Sequence, residues 1–305
     1  MKYLSSLNYI NVVARTGSIR KAAEQLNITS TALNRRVLGL EDELGVPIFE
    51  RLPNGVRLNV AGELLIQHVR SSMADMSKVL SQISDLSGVR RGHVQIAGGS
   101  EVIGAFLPAR IALYRQEHAG VSFEILRRRP DDALKAIANF EADLALIFGP
   151  VLPSEFQLLA SVELELAVAM HPDHPLAMLD HVTLLQIQEY PVIMPADGSG
   201  LHGLIQAAQQ RHGIKLNTAI TSESYEFMSH YSEYENAISF QLPLVGSNKT
   251  KDTSSMILRP VAKRDRMSGL LHLAQLKGRV LSVAAAKFAD QLVQHFNQNH
   301  PDSTH

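Results

Sequence analysis

Residues 17–45, GSIRKAAEQLNITSTALNRRVLGLEDELG, read as two helices separated by two or three residues. Ser18 stands where an N-cap belongs, its side-chain oxygen placed to accept from an unpaired amide, and Ile19, Ala22, Ala23 and Leu26 follow at helical spacing. Asn27 and Ile28 break that pattern. Thr29 caps a second helix, whose apolar members Leu33, Val37, Leu40 and Leu44 recur every three or four residues as one inward stripe. The small Ala22 and Ala23 let the two helices approach closely, as a helix-turn-helix requires. The opposite side of the second helix carries Ser30, Thr31, Asn34 and Arg35, with Arg36 next along the chain. Upstream, Leu4, Leu7, Ile10 and Val13-Ala14 supply a third helix to cover the pair. Any helical hairpin can show a polar outer face, so periodicity leaves DNA binding and plain assembly both open.

The next stretch favours DNA. IFERLPNGVRLN, residues 48–59, is two short apolar-alternating arms around Pro53-Asn54-Gly55, and Asn-Gly is a strong hairpin signal because both residues tolerate positive φ. A two-stranded wing is expected, with Arg51 and Arg57 flanking its turn within reach of phosphates. From Val60 a single helix runs to about Leu86, with Asn59 as its cap. Ile66, Val69, Met73, Met76, Leu80 and Ile83 alternate spacings of three and four, the seam of a short coiled coil that Leu65 and Val79 widen. Such a helix spans roughly 40 Å at about 1.5 Å per residue, long for a lone small domain and suited to dimerisation.

SGVRRGHV, 87–94, breaks the helix and reads as a linker. Beyond it strands and helices alternate: HVQIAGG, a helix through Leu107-Pro108, VSFEILR, the helix DDALKAIANF, and ADLALIFG as a short buried strand. A second unit begins at ELAVAM, 165–170, and continues through YPVIMP, a Gly-rich turn, the helix GLIQAAQQRHG and KLNTAITS; GLLHLAQL and a helix from Ser282 close the pattern, before a polar tail after Asn297. This is the rhythm of open α/β sheets, and two lobes joined by crossing segments leave a cleft at the strand carboxyl ends. The expected division is 1–59 winged helix-turn-helix, 60–87 linker and dimerisation helix, and 88–305 two-lobed α/β domain.

Composition bounds the function classes. The 305 residues are 45% apolar and 19% charged, ordinary for a folded protein, and no apolar run is long enough for a secretory signal or a membrane span, so a cytoplasmic chain with no membrane partner is expected. The absence of cysteine removes disulfides, thiolate nucleophiles and Cys-containing zinc sites. Residues 1–90 hold eleven Lys or Arg against eight Asp or Glu, and the remainder eighteen against twenty-two, so any polyanion contact belongs to the N-terminal part.

In this order, the elements resemble those of a LysR-type transcriptional regulator. The resemblance rests on residues 17–65, where Gly17-Ser18, Ala22-Ala23, Leu40-Glu41, Leu44-Gly45, Phe49-x-Arg51 and Ala61-Gly62 fall at that family's spacing, and it extends more loosely over the whole chain. It implies an α/β protein with an N-terminal all-α winged helix-turn-helix, and a two-lobed α/β effector-binding domain resembling periplasmic solute-binding proteins. It further implies double-stranded promoter DNA as partner, self-association through the linker helix into dimers and often tetramers, and a small-molecule effector in the cleft, with no resident cofactor or metal. The DNA-binding residues implied are Ser18, Thr29, Ser30, Thr31, Asn34, Arg35, Arg36, Arg51 and Arg57. Family members usually have Gln and Ser where this chain has Ser30 and Asn34, and Thr where it has Asn59. Asn34 can still pair with adenine, and Arg35 can reach guanine or phosphate.

For the effector the resemblance implies Ser100 and Glu101 after the first strand, Arg128 in the Arg127–Arg129 loop, Phe148, and Ser199 and Gly200 in DGSG, 197–200. Ser100 reads equally as an N-cap, and Phe148 equally as core. The three arginines suit an anionic ligand or form a solvated rim. The family's Gly-x-Gly before Leu-Pro is replaced by NAISFQLP, 236–243. An enzyme is not expected: HPDHP, 171–175, cannot present His171 and His174 on a helix because of its prolines, and Ser100 lacks a nucleophile-elbow pattern or identifiable base. The alternative is a solute-binding module whose N-terminal helices serve assembly. It leaves the wing and the Thr31-Asn34-Arg35 face without purpose.

Overall fold

A computed structural model describes residues 2–86, 91–149, 152–232, 234–243 and 256–299. They form two compact units whose boundary along the chain lies at Ile83 and Ser84. The first contains α1 (Lys2–Thr16), α2 (Ile19–Gln25), α3 (Ser30–Leu44), the hairpin β1 (Phe49–Leu52) and β2 (Gly55–Leu58), and nearly all of α4 (Val60–Leu86). Ser18 accepts from the Lys21 amide and Thr29 from the Ala32 amide, so both expected caps form. Between them Asn27 takes a left-handed φ of 52°, a conformation asparagine tolerates well, and this lets the chain turn within the four residues 26–29, one more than the spacing predicts.

Leu7, Ile10, Val13, Ala22, Ala23, Leu33, Val37, Ile48, Phe49, Ile66 and Val69 build one apolar core. Leu4's side chain lies outside the described residues. Two expectations need correcting here. Leu44 ends the helix rather than the inward stripe and is 44% exposed, because α3 runs past the core before Gly45 caps it in a left-handed conformation. The α4 seam also divides: Ile66 and Val69 are buried in this unit's own core, while Met76, Val79, Leu80 and Ile83 are exposed on its distal half.

The wing turns through Pro53-Asn54, with Leu52 pairing Gly55, and Asn54 keeps an ordinary negative φ. Gly55 takes a positive φ of 148°, which the turn needs, and the position has a second reason to be glycine. A Cβ there would sit 2.2 Å from the Gly17 carbonyl oxygen, the same oxygen that accepts from the Val56 amide at 2.9 Å. The Leu-Glu pair also acquires a cause, since the Glu41 carboxylate accepts from the Ile48 and Phe49 amides and ties the end of α3 to the wing. Asn59 caps α4 by accepting from Gly62 and donates its side-chain amide to the Pro47 carbonyl, so one side chain serves both the helix start and the segment before the wing.

The second unit begins with β3 (Gly92–Gly98), α5 (Ser100–Ala105), α6 (Leu107–Glu117), β4 (Val121–Arg127), α7 (Pro130–Ala138), β5 (Leu144–Gly149) and β6 (Phe156–Glu165). It continues with β7 (Ala167–Met170), α8 (Leu184–Ile187), β8 (Val192–Pro195), α9 (Gly200–His212), β9 (Thr218–Ser222) and α10 (Tyr225–Tyr231). β10 (Ile238–Gln241), β11 (Ile257–Pro260), β12 (Ser268–Leu276) and α11 (Val283–Asn299) complete it. Residues 87–90 of the expected linker and 300–305 of the polar tail lie outside the described residues.

Lobe I is the sheet β4-β3-β5-β12-β6 and lobe II the sheet β11-β7-β10-β8-β9. In each, three adjacent strands pair in parallel, β4-β3-β5 in one and β10-β8-β9 in the other, and the remaining pairings are antiparallel. The chain crosses between lobes twice, at Leu166 and near Met267, and the Leu166 amide donates to the Met267 carbonyl, so the two crossing segments are bonded to each other. β5, β7, β8 and β10 are buried almost throughout, as strands covered on both faces must be. β6, β10, β11, α8 and α10 carry weak sequence signals, being short or only partly periodic.

Candidate functional site

The first site is the outer face of α3 with the wing. Ser30, Thr31 and Arg35 are exposed there, and Asn34 is half-buried because Arg51, reaching across from β1, donates to its Oδ1 at 3.1 Å. Two residues seventeen apart in the chain therefore form one hydrogen-bonded surface. Arg57 pairs with Glu50 across the hairpin at 2.7 Å, an exposed and well-screened contact. Arg36 points elsewhere: its guanidinium lies 4.4 Å from the centroid of the Tyr9 ring on α1. Ser18 and Thr29 have their oxygens engaged by helix amides, so their part in any contact is to set the start of each helix.

The second site lies between the lobes, a cavity of about 590 Å³ lined by Pro130, Phe148, Ser199, Gly200, His202 and Gly269 among others. That is within the usual range for small-molecule pockets. It forms where the carboxyl end of β5 meets the start of α9. Ser199 caps α9 by accepting from the His202 amide, and the His202 Nδ1 donates to the Pro195 carbonyl at 2.8 Å. Gly200 has no room for a side chain, because a Cβ would fall 1.8 Å from the Phe148 carbonyl oxygen. Gly198 takes a left-handed φ of 80°.

Of the residues expected to face a ligand, Phe148, Ser199 and Gly200 come together here, whereas Ser100, Glu101 and Arg128 do not line this cavity. Gly99, not Ser100, occupies the N-cap of α5. The buried Ser100 hydroxyl instead accepts from the Tyr225 amide at the start of α10, bonding lobe I to lobe II. Arg128 is exposed and donates to the Arg127 carbonyl, and Arg129 is paired with Glu223 of lobe II at the rim. Pro130, Asp131, His202, Gly203, Gln206 and Ser268 were not legible as a site, although Gly203 inside a helical pattern is a local hint of open space. His171 and His174 lie after β7, as expected of a loop. His174 is buried, its Nδ1 accepting from the Leu176 amide and its ring 4.4 Å from Tyr190, and burial pushes its pKa down.

Glu101 is a buried carboxyl whose pKa is pushed up by desolvation, opposed by a hydrogen bond from its own backbone. The folded state then holds the proton more tightly than the unfolded chain, so stability is lost as pH rises from the ordinary carboxylate value through the raised one. Glu101→Gln keeps the shape without the charge. It is expected to raise Tm at pH 7, with the gain disappearing below about pH 4, where both states are protonated. Equal Tm values at pH 7 would contradict it.

Family comparison matches residues 4–63 to the bacterial regulatory helix-turn-helix proteins of the lysR family, and residues 87–297 to the LysR substrate binding domain. An uncharacterized HTH-type transcriptional regulator of Bacillus subtilis, YybE, is 27% identical over 293 residues, covering 96% of this chain and 98% of that one. The RuBisCO operon transcriptional regulator of Allochromatium vinosum is 31% identical over 219 residues, covering 70% and 72%. Full-length CbnR, solved in complex with its target DNA, superposes with a TM-score of 0.66 at 16% identity, covering 96% of this chain and 99% of that one. With a capped helix-turn-helix and wing in one unit, a cavity between two sheets in the other, and family matches across both, the chain belongs to the LysR family of bacterial transcriptional regulators.

Proposed function

We propose that this chain binds promoter DNA through α3 and the wing, and changes its hold on that DNA when a small molecule enters the interlobe cavity. The observation that carries the reading is the Thr31-Asn34-Arg35 face, presented on a buried helix-turn-helix and braced by Arg51. Arg35 reads a base edge or a neighbouring phosphate, Arg51 positions the wing, and Arg57 exchanges Glu50 for a phosphate. The functional division is 1–59, 60–87 and 88–305. No described helix is long and apolar enough to cross a membrane, and we place the protein in the cytoplasm with its DNA.

Arg35→Ala is expected to cost about 1 to 3 kcal/mol of discrimination at one operator position, whereas Arg57→Ala weakens all sequences alike and lowers the salt slope by about 1. Binding isotherms on operator and scrambled duplexes across a salt series separate the two. Parent-like behaviour of both variants would remove these residues from the interface.

Self-association is assigned to the distal half of α4, where Met76, Val79, Leu80 and Ile83 remain exposed. Met76→Lys is expected to lower both the mass in solution and the affinity for an operator with two half-sites; an unchanged mass by light scattering refutes the coiled-coil seam. Footprinting on the DNA flanking the protein's own coding region, with and without small organic compounds, tests the whole reading. A protected interrupted palindrome supports it. Failure to protect any fragment, with ligand binding retained, would favour a stand-alone binding module.

A further inference from the structure

Resting on the reading that the interlobe cavity is the effector site, we propose that it takes a neutral or positively charged ligand rich in hydrogen-bond donors, and rejects organic acids. Among the described residues, no lysine or arginine lines the cavity. Its charged members are Asp131 and Asp197, and the His202 ring lines it too, with Nδ1 committed to the Pro195 carbonyl and Nε2 3.8 Å from Asp197 Oδ1. The walls between them are apolar: Pro130, Phe148, Leu204, Ala207 and Leu270.

Two features of the fold bear against this preference, and side chains already in place offset them in part. The helices α7 and α9 begin at the cavity, and a helix start ordinarily attracts anions. α7, however, opens with Pro130, which has no N–H, and carries Asp131 and Asp132 in its first turn. At α9 the Asp197 carboxylate accepts from the Gly198 amide and lies near the His202 ring. The start of α7 thus carries carboxylates of its own, while at α9 Ser199 takes up the His202 amide and Asp197 stands two residues ahead of that cap. The second feature is Arg129, whose guanidinium packs against Gly198 just outside the lining. It is held by Glu223, so it brings no unbalanced positive charge to the rim. A carboxylate entering this space meets two like charges and, among the described residues of the lining, gains no cationic side chain. An ammonium, amidinium or amide N–H meets acceptors.

The test is calorimetric titration of the full chain with benzamidine, benzamide and benzoate, three planar molecules of one size and different charge, repeated on Gly203→Phe and Asp197→Asn. A Cβ on Gly203 has nothing within 4 Å, so the larger residue fills the cavity without displacing backbone. Ala207→Leu serves as the milder block if Gly203→Phe melts early. The expected result is that benzamidine and benzamide bind at least roughly tenfold tighter than benzoate. Blocking should abolish that binding, and Asp197→Asn should weaken benzamidine roughly two- to fivefold, as suits an exposed ion pair. Benzoate binding most tightly, in a manner the block abolishes, would overturn the charge preference and leave the site standing. Binding of none of the three at millimolar concentration, or binding that the block leaves unchanged, would overturn the site itself and the preference with it.

Discussion

Replacing Gly62 by alanine is expected to abolish DNA binding while leaving the two-lobed unit folded. A Cβ at this position lies 2.1 Å from the Ile48 carbonyl oxygen and 2.8 Å from a Leu58 methyl. The closer clash is with backbone, and that backbone is pinned twice: the Ile48 carbonyl accepts from Asn59, and its amide donates to Glu41. Neither α4 nor the wing can give way without breaking those bonds. The cost falls at the upper end of the range for overpacking, about 3 kcal/mol, which is a large share of what a small unit has. Scanning calorimetry should show the N-terminal unit unfolding well below its parent temperature, and footprinting should show no protection. An unchanged calorimetric trace would mean that α4 docks on the wing less closely than described.

The matching experiment in the second unit is Gly200→Ala, where the added Cβ would meet the Phe148 carbonyl oxygen at 1.8 Å and its carbon at 2.7 Å. Here the clash falls between lobes, since Gly200 opens α9 in lobe II and Phe148 lies at the end of β5 in lobe I. Relief requires the lobes to separate at the cavity, so ligand affinity should fall at least roughly tenfold and this unit should lose about 3 kcal/mol. DNA binding by the first unit should persist, and any ligand-dependent change in the footprint should vanish. Retained ligand response in Gly200→Ala would show that the lobes tolerate opening at this point.

The helix-turn-helix was legible because its signals are local. Caps at Ser18 and Thr29, a break at Asn27 and apolar spacing all act within one or two turns of chain, so a one-dimensional pattern carries them. The first three strands of lobe I were legible for a similar reason, β3 and β4 alternating apolar with polar residues and β5 being an apolar run, each bounded by turns. β11 was not: its four residues include a proline, and they become a strand only by pairing with β7.

The sequence by itself determined the order of parts, the family resemblance and the residues offered to DNA. Only the tertiary structure decided which of those residues act together. It bonded Arg51 to Asn34, turned Arg36 onto Tyr9, and spent half the α4 seam on the unit's own core. It also moved the ligand question from three arginines in one loop to a cavity without them, because pairing with Glu223 and packing of α9 on β5 join segments from opposite lobes. Periodicity reports which face of an element is apolar. What that face meets depends on contacts distant in the chain, and these are set by packing rather than by any local spacing.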